Sequence, residues 1–467
     1  MKRHQIYAVL TAAVVAALSS GMGASAADQA KAVNFQSMLT QDALPKAVAD
    51  AKAGEAKDLS IDLQGAVVTA IQNNRDIRIS ELTLDSKKAA VSEAAAAKNP
   101  SLDYSFQGGR GKTTGTSQLT GGTVSNISTS YQNGLTVTWP IWTFGKLEGQ
   151  IEAARAARGA AEEDVYLTEA NIKLSATEAY YQLLEAQNLE DVSRESVDNL
   201  TEHLTNVQQQ YGAGIVAKLD VLSSGVSLAN AKQSYISAEN ARKLAEANLN
   251  NVMRLPMNTN LTPVDKDFPQ PAFDITMDQA LAMARQYRWE LIQADYQVTA
   301  AKEQLRSAKA GYLPTIAASG GYNWHDSDFP GFENEGWNVA GTVSWSLFDG
   351  GATSAKTRQA EAALAIAEES KLQADETIQL EVRQDYLNVI SAREKIAATE
   401  AAVNEAEEAY KIAVVRYKAG VGINLDVLDA QLQLNTARTN YITALYDYNI
   451  GLATLEKAMG VPAVIRK

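Results

Sequence analysis

The chain contains 467 residues, lacks cysteine and carries a formal net charge of −13 at pH 7. This acidic balance argues against a nucleic-acid partner, because phosphate binding requires a basic face. The absence of cysteine excludes a disulfide framework, so packing or a closed sheet has to hold the fold together.

The N-terminal segment has the three-part layout of a secretory signal peptide. Its first residues carry positive charge, a short apolar run follows, and small residues end at Ala26. The apolar run is shorter than the roughly 20 residues of an ordinary transmembrane helix. We therefore predict a signal peptide over 1–26, with an uncleaved anchor helix as the alternative. Residues 27–57 show no clear periodicity and are interpreted as a periplasmic N-terminal extension.

The rest of the sequence consists of two similar copies of one unit. YGAG at 211–214 recurs as YKAG at 417–420, and LDVL at 219–222 recurs at 425–428, so the two copies lie about 206 positions apart. The first copy is longer in one loop, as is usual for insertions. Self-similarity of this kind indicates one structural unit that is used twice.

The predicted domain limits follow from this alignment. We expect a first repeat over 58–256, a linker over 257–274, a second repeat over 275–462 and a C-terminal tail over 463–467. Each repeat should contain a helix, a β-hairpin, a long helix and a shorter return helix.

The opening helical stretches, about 60–98 and 275–312, are rich in Ala, Lys, Glu and Leu. They stop before Pro100 and Pro314, because proline disfavours helix at the residue that precedes it.

A β-hairpin is predicted next in each copy, at about 101–142 and 315–348. Apolar residues such as Tyr104 and Phe106 alternate with polar or small ones, and a turn-rich loop over about 111–127 separates the strands of the first copy. Alternation over roughly ten residues, with aromatic residues toward the ends, is typical of membrane barrel strands. A soluble hairpin that caps a helical rod is the alternative.

Helical stretches without proline follow the hairpins, at about 146–210 and 352–416. At 1.5 Å per residue each would extend for about 100 Å, which is typical of a coiled-coil shaft. The runs end at Gly214 and Gly420, where glycine allows the chain to reverse into the return helix.

Four strands cannot close a membrane barrel, since single-chain barrels begin at about eight strands, and lipid does not tolerate an open strand edge. If the strands cross a membrane, the chain must therefore form an oligomer. Two copies would give eight strands and a filled interior, whereas three would give twelve and an open lumen.

The turn of the second repeat carries the most specific motif in the chain. Residues 416–431 read RYKAGVGINLDVLDAQ. Together with the duplication, the hairpins and the long helices, this segment resembles the TolC family of outer-membrane efflux proteins over about 60–462.

The resemblance implies a mixed α and β fold: an all-α, long coiled-coil helical barrel plus a trimeric, twelve-stranded transmembrane β-barrel with four strands per chain. It also implies a homotrimer in contact with outer-membrane lipid, with the helical barrel extending into the periplasm. Its partners would be a periplasmic adaptor (membrane fusion) protein and an inner-membrane transporter, in tripartite efflux or type I secretion. No cofactor is implied.

The family closes its periplasmic end with a ring of aspartates, and Asp426 and Asp429 match those positions. Such a ring attracts cations and repels anions. Alternatively, Asp426 caps the return helix and Asp429 lies one turn inside it.

The resemblance also implies a latch of polar contacts that holds the closed state. Asp220 and Tyr417 match two latch positions. Gly422 stands where the best-known member of the family has a latch arginine, so the cation is either absent or supplied elsewhere, for example by Lys218 or Arg416.

No catalytic or metal-binding pattern accompanies these features. The histidines, His4, His203 and His325, are far apart in sequence and form no zinc-type cluster. An enzyme is therefore not expected. The leading hypothesis is an exit duct, and the alternative is an exported helical rod or adhesin without a pore. The sequence does not identify the cargo.

Overall fold

The structure, a computed structural model, describes residues 58–116 and 123–461. The predicted signal peptide, the N-terminal extension and the C-terminal tail lie outside the described residues. No helix within the described ranges is long and apolar enough to cross a membrane.

The same order of elements occurs in both copies. The first copy contains β1 (Asp58–Ile61), α1 (Leu63–Asn73), α2 (Arg75–Ala96), β2 (Ser101–Thr116), β3 (Thr123–Trp142), α3 (Lys146–Gly212) and α4 (Lys218–Met253). The second copy contains β4 (Asn260–Pro263), α5 (Met277–Tyr287), α6 (Trp289–Lys309), a 3₁₀ turn (Ala310–Tyr312), β5 (Thr315–Asp326), β6 (Asn334–Ser344), α7 (Ala352–Lys418) and α8 (Asn424–Ala458). The long helices α3 and α7 each have 67 residues, as their lack of proline predicts.

The prediction of one continuous helix at the start of each repeat is wrong. The backbone is extended at Asn74 (ψ 134°) and at Arg288 (ψ 121°), so each stretch is divided into two helices. Asn74 Oδ1 accepts a hydrogen bond from Asp76 N at 2.7 Å, which starts the next helix. Arg288 is buried and donates to Glu381 Oε2 and to Ala458 O, contacts that sequence periodicity does not reveal.

The prediction of a loop over about 111–127 is also wrong. Strands β2 and β3 stay paired up to Thr116 and Thr123, and residues 117–122 lie outside the described residues. Threonine favours the extended backbone and outweighs the glycines at 111 and 115. The second hairpin ends earlier than predicted, because β6 stops at Ser344.

The four long strands form one antiparallel sheet in the order β2-β3-β5-β6. Directly opposed residues share a face, and one row reads Phe106, Asn133, Trp324 and Glu335. The pairing gathers the apolar residues on one side, which we call the apolar face. Its large apolar members are Leu102, Tyr104, Phe106, Leu135, Val137, Trp139, Ile316, Tyr322, Trp324, Trp337, Val339 and Val343. The opposite, polar face carries mainly Ser, Thr, Asn, Gln and Gly.

The base of the sheet repeats one anchoring contact in both copies. The indole nitrogen of Trp139 donates to Lys98 O at 3.1 Å, and that of Trp345 donates to Tyr312 O at 3.0 Å. Each tryptophan therefore satisfies a carbonyl just after the opening helix, which fixes the position of the hairpin relative to that helix.

The chain divides into two compact units, one of which contains the sheet (Asp85–Arg158 and Tyr296–Glu368). The other unit is helical and has the main hydrophobic core, whose largest fully buried side chains include Tyr180, Leu249 and Met253. Burying such a side chain contributes about 1.5–3 kcal/mol.

A two-stranded parallel sheet of β1 and β4 also belongs to the helical unit, and it was not predicted. Tyr180 Oη donates to Asp265 Oδ2 at 2.6 Å, so the segment predicted as a linker is held against the core.

Candidate functional site at the two helical turns

The two turns that connect long and return helices have the same backbone geometry. We call Tyr211–Ala217 the first turn and Tyr417–Ile423 the second turn. Gly214 (φ +76°) and Gly420 (φ +74°) both adopt the left-handed conformation, in which a residue with a side chain costs about 1–2 kcal/mol more. The two predicted turn glycines therefore occupy positions that favour glycine.

Asp220 and Asp426 are each the third residue of a return helix. Their carboxylates accept long hydrogen bonds from the backbone nitrogens that precede the helices, at 3.3 Å from Ala217 and 3.5 Å from Ile423. The interpretation of Asp426 as the N-cap is wrong, because Ile423 is the cap and Asp426 reaches back to it. A carboxylate in the first helical turn also interacts favourably with the helix dipole.

Asp426 and Asp429 are both exposed, whereas Val427 and Ala430 beside them are buried. Residues three apart share one side of a helix, so the two carboxylates lie next to each other on the exposed side of α8. Neither carboxylate forms an ion pair with a residue of the described ranges. The pair therefore presents unneutralised negative charge.

Tyr417 is buried, with only 4% of its surface exposed, and it packs against Val207 and Val427. Its hydroxyl oxygen has no hydrogen-bond partner among the described residues. Burial raises the pKa of the Tyr417 hydroxyl, and the negative charge of Asp220 raises it further. The structure thus brings Tyr417 within electrostatic range of Asp220, without a hydrogen bond between them.

A buried polar network centred on Asn424 reaches this tyrosine through His203, and it was not predicted. Asn424 Oδ1 lies 2.6 Å from His203 Nε2 and accepts from Ser224 Oγ at 3.1 Å. Asn424 Nδ2 donates to Ser223 Oγ at 3.0 Å and to Asp220 O at 3.3 Å. The first residue of α8 is therefore bonded to both α3 and α4.

His203 faces this network on one side and the Tyr417 ring on the other, with the ring centroids 5.0 Å apart. Because Asn424 Oδ1 is an acceptor, His203 Nε2 carries the donated proton. Burial lowers the pKa of His203, the hydrogen bond to Asn424 opposes this, and the nearby charge of Lys418 lowers it further. The lowered pKa of His203 favours the neutral imidazole.

The sequence signal for this network is weak. His203 and Asn424 are 221 positions apart, and neither has an identical residue at the equivalent position of the other copy. The one available sequence signal is that His203 and Asn424 each differ from the residue at the equivalent position of the other copy.

At Gly422 the backbone of Arg416 and Tyr417 comes close to the glycine Cα. A Cβ atom there would lie 3.0 Å from the Tyr417 nitrogen and 3.1 Å from the Arg416 carbonyl carbon.

The two alternative latch cations, Lys218 and Arg416, have no ion-pair partner in the described part of the chain, whereas Lys418 pairs with Glu202 at 3.0 Å. Within residues 58–116 and 123–461, no group of three or more acidic or histidine side chains is placed to hold a metal ion.

Comparison with known proteins gives consistent likenesses. The sequence model of the family described as outer membrane efflux protein matches residues 66–253 and 280–461. The chain is 24% identical over 317 residues to outer membrane protein TolC of Vibrio cholerae, covering 66% of this chain and 72% of that one. It is 23% identical over 411 residues to outer membrane protein OprJ of Pseudomonas aeruginosa, covering 85% and 84%.

Among solved structures, the outer-membrane channel OprN superposes with a TM-score of 0.77 at 22% identity, covering 90% of this chain and 96% of that one. At this identity the likeness establishes the fold. The predicted fold class of the chain, long helices with four antiparallel strands built as a tandem repeat, is confirmed.

Proposed function

The chain belongs to the outer membrane efflux protein family, and on this premise we propose that it is a passive exit duct of the outer membrane. In the proposed assembly, three copies contribute twelve strands to one transmembrane β-barrel, and their helices form a coiled-coil barrel that extends into the periplasm. A periplasmic adaptor protein and an inner-membrane transporter supply the cargo and the energy. The duct catalyses no reaction and uses no cofactor.

The two-faced sheet is the observation that supports this proposal most directly. On the apolar face Trp337 is 76% exposed and Val339 is 77% exposed. Contiguous apolar surface of this kind marks an interaction with lipid or protein. With lipid against the apolar face, the opposite polar face lines a water-filled lumen, as in porin-type barrels.

The edges of the sheet support an oligomer. Strands β2 and β6 are the two edge strands, each with one row of backbone groups directed away from the sheet. In lipid these groups need partners, and β2 of one copy pairing with β6 of the next provides them. Three copies are favoured over two because a twelve-stranded barrel leaves an open lumen. Each repeat, 58–256 and 275–462, then supplies one hairpin to the barrel.

We assign the aperture of the duct to Asp426 and Asp429. Three copies bring six exposed carboxylates to the periplasmic end, and such a ring prefers cations. Tyr417 and Asp220 are proposed as latch residues because they match the latch positions of the family, and the Tyr417 hydroxyl has no hydrogen-bond partner among the described residues.

Single-channel conductance in planar lipid bilayers tests this function. Purified mature protein should give long-lived, cation-selective steps, and Asp426→Asn with Asp429→Asn should weaken the cation preference without loss of the trimer. The control is Glu93→Gln with Asp198→Asn, which removes two other exposed carboxylates that form no ion pair with described residues.

Equal selectivity in both double variants would remove the aperture assignment. Folded protein that gives no steps would instead support the helical rod or adhesin without a pore.

A further inference from the structure

The first hairpin extends beyond the second. Strand β3 pairs with β5 only as far as Tyr131 and Asp326, whereas its pairing with β2 continues to Thr116 and Thr123. The paired ribbon beyond Tyr131 is therefore two strands wide. At about 3.3 Å per residue it projects roughly 25 Å past the rest of the sheet.

This ribbon contains the only lysine and arginine of the four strands, Arg110 and Lys112. Their even numbers place them on the same face as Phe106, since side chains alternate along a strand. Both side chains are exposed, and neither forms an ion pair with another described residue. Two unneutralised cations thus stand on the apolar face, directly beyond its last aromatic row.

An aromatic shelf lies immediately below these cations. The ring of Phe329, from the connection between β5 and β6, packs 5.6 Å from Tyr131 and 6.4 Å from Phe106. The connection is bound there because Asn133 Nδ2 donates to Pro330 O at 2.8 Å. Since Phe106, Tyr131 and Asn133 all belong to the apolar face, this connection folds onto that face and not onto the polar one.

We propose that Arg110 and Lys112, above the shelf of Phe106, Tyr131 and Phe329, bind the phosphate groups of an outer-leaflet lipid whose acyl chains lie against the apolar face. The inference rests on the proposed function, which puts that face in lipid. Arg110 lies four positions after Phe106, which is about 13 Å along the strand and about 10 Å along the membrane normal at the usual tilt of barrel strands.

The position of Arg110 and Lys112 above the aromatic residues, and their positive charge, fit a phosphorylated lipid headgroup. Long cationic side chains reach toward the headgroup level, and a guanidinium binds phosphate in a bidentate manner. The acidic groups at this end of the sheet lie on β5, on β6 and on the connection between them, where Asp328 and Glu333 are exposed. Asp326 Oδ1 accepts from Ser327 N, and Glu335 Oε2 accepts from Tyr322 Oη at 2.6 Å. The phosphate site is therefore placed on the two-stranded ribbon beyond Tyr131, at Arg110 and Lys112.

Native mass spectrometry of the full mature protein in detergent tests the site with bisphosphorylated lipid A as the probe. Arg110→Gln and Lys112→Gln should each weaken binding about fivefold, and the double variant about 25-fold, as expected for two cations near an anionic headgroup. Lipid A without its phosphates should bind wild type and double variant equally. The exchange of Arg110→Lys with Lys112→Arg should retain most of the binding.

A matched control removes two exposed, unpaired lysines elsewhere, Lys87→Gln with Lys232→Gln, and should leave lipid A binding unchanged. Equal lipid A binding by wild type and the Arg110/Lys112 double variant would overturn the inference. So would competition by millimolar inorganic phosphate, because the site would then recognise free phosphate and not a lipid.

Channel conductance separates this inference from the proposed function. The Arg110→Gln, Lys112→Gln variant should still form channels, since neither residue lies at the proposed aperture. A wild-type protein that binds lipid A but forms no channels would contradict the duct and leave the lipid site intact.

Discussion

The two helical turns share a sequence motif and a backbone but differ in their surroundings. Tyr211 in the first turn is 46% exposed, whereas its equivalent Tyr417 is 4% exposed. The motif tyrosine and the left-handed glycine, Gly214 or Gly420, are the same in both copies. The turn itself therefore does not decide whether the tyrosine is buried.

The difference comes from residues that the duplication did not keep. Lys218 of the first copy corresponds to Asn424, and Val216 corresponds to Gly422. Lys218 is exposed, whereas Asn424 is buried and bonded to three other side chains. The two turns therefore differ in that Asn424 bonds the second turn to helices α3 and α4 of the first copy.

The largest effect should come from Asn424→Leu, which deletes the centre of the network. His203 Nε2 and Ser224 Oγ would lose their buried partner, and an unsatisfied buried group costs about 1–3 kcal/mol. We expect the free energy of unfolding to fall by about 2–4 kcal/mol, measured by denaturant titration of the mature protein. The equivalent change in the first copy, Lys218→Leu, should alter it by less than about 0.5 kcal/mol. Equal effects would show that the two turns are not distinguished by this network.

The second-largest loss of stability is expected for Gly422→Ala. The new Cβ atom would meet backbone atoms at 3.0–3.1 Å, and overpacking of this kind costs about 1–3 kcal/mol. Thermal unfolding should show the loss. Val216→Ala in the first turn is the matched change and should cost less, because that position already accommodates a Cβ atom. A neutral Gly422→Ala would mean that the second turn opens easily.

The stability of the second turn should depend on pH through His203, which has no equivalent histidine in the other copy. Its pKa in the folded chain lies below the ordinary value of 6.5, because burial disfavours the charged form. As the pH falls below 6.5, the unfolded chain takes up a proton that the folded chain does not, so stability decreases until the pH passes the folded pKa.

Thermal unfolding of wild type and His203→Gln at pH 7.5 and pH 5 measures this effect. Glutamine keeps a donor for Asn424 Oδ1 but does not titrate, so the variant should lose less stability on acidification. Identical pH dependence in the two proteins would show that His203 does not contribute.

The smallest stability effect is expected for Tyr417→Phe. The hydroxyl has no partner among the described residues, so its removal should change the free energy of unfolding by no more than about 1 kcal/mol, in the stabilising direction. If the hydroxyl acts as a latch between subunits, conductance recordings should nevertheless show more frequent opening. Tyr211→Phe, at the exposed equivalent, should change neither property. Unaltered opening in Tyr417→Phe would remove this residue from the latch.

Much of the fold could be predicted from the sequence, because the relevant forces act over short distances along the chain. The absence of proline determined the length of α3 and α7, and alternation in segments such as Leu102 to Phe106 determined which strand residues share the apolar face. The glycines at 214 and 420 marked both turns. The family is confirmed, whereas the repeat limits and the roles of Asp220, Tyr417, Asp426 and Asp429 stay predictions.

Other features were decided only by the tertiary structure. The break at Arg288 depends on acceptors at Glu381 and Ala458, and the burial of Tyr417 depends on Val207 and His203. These partners are distant in sequence, and their contribution exists only once the helices have packed together. Local periodicity therefore specifies which elements form, and the desolvation of a few polar side chains determines where those elements break and how they are joined.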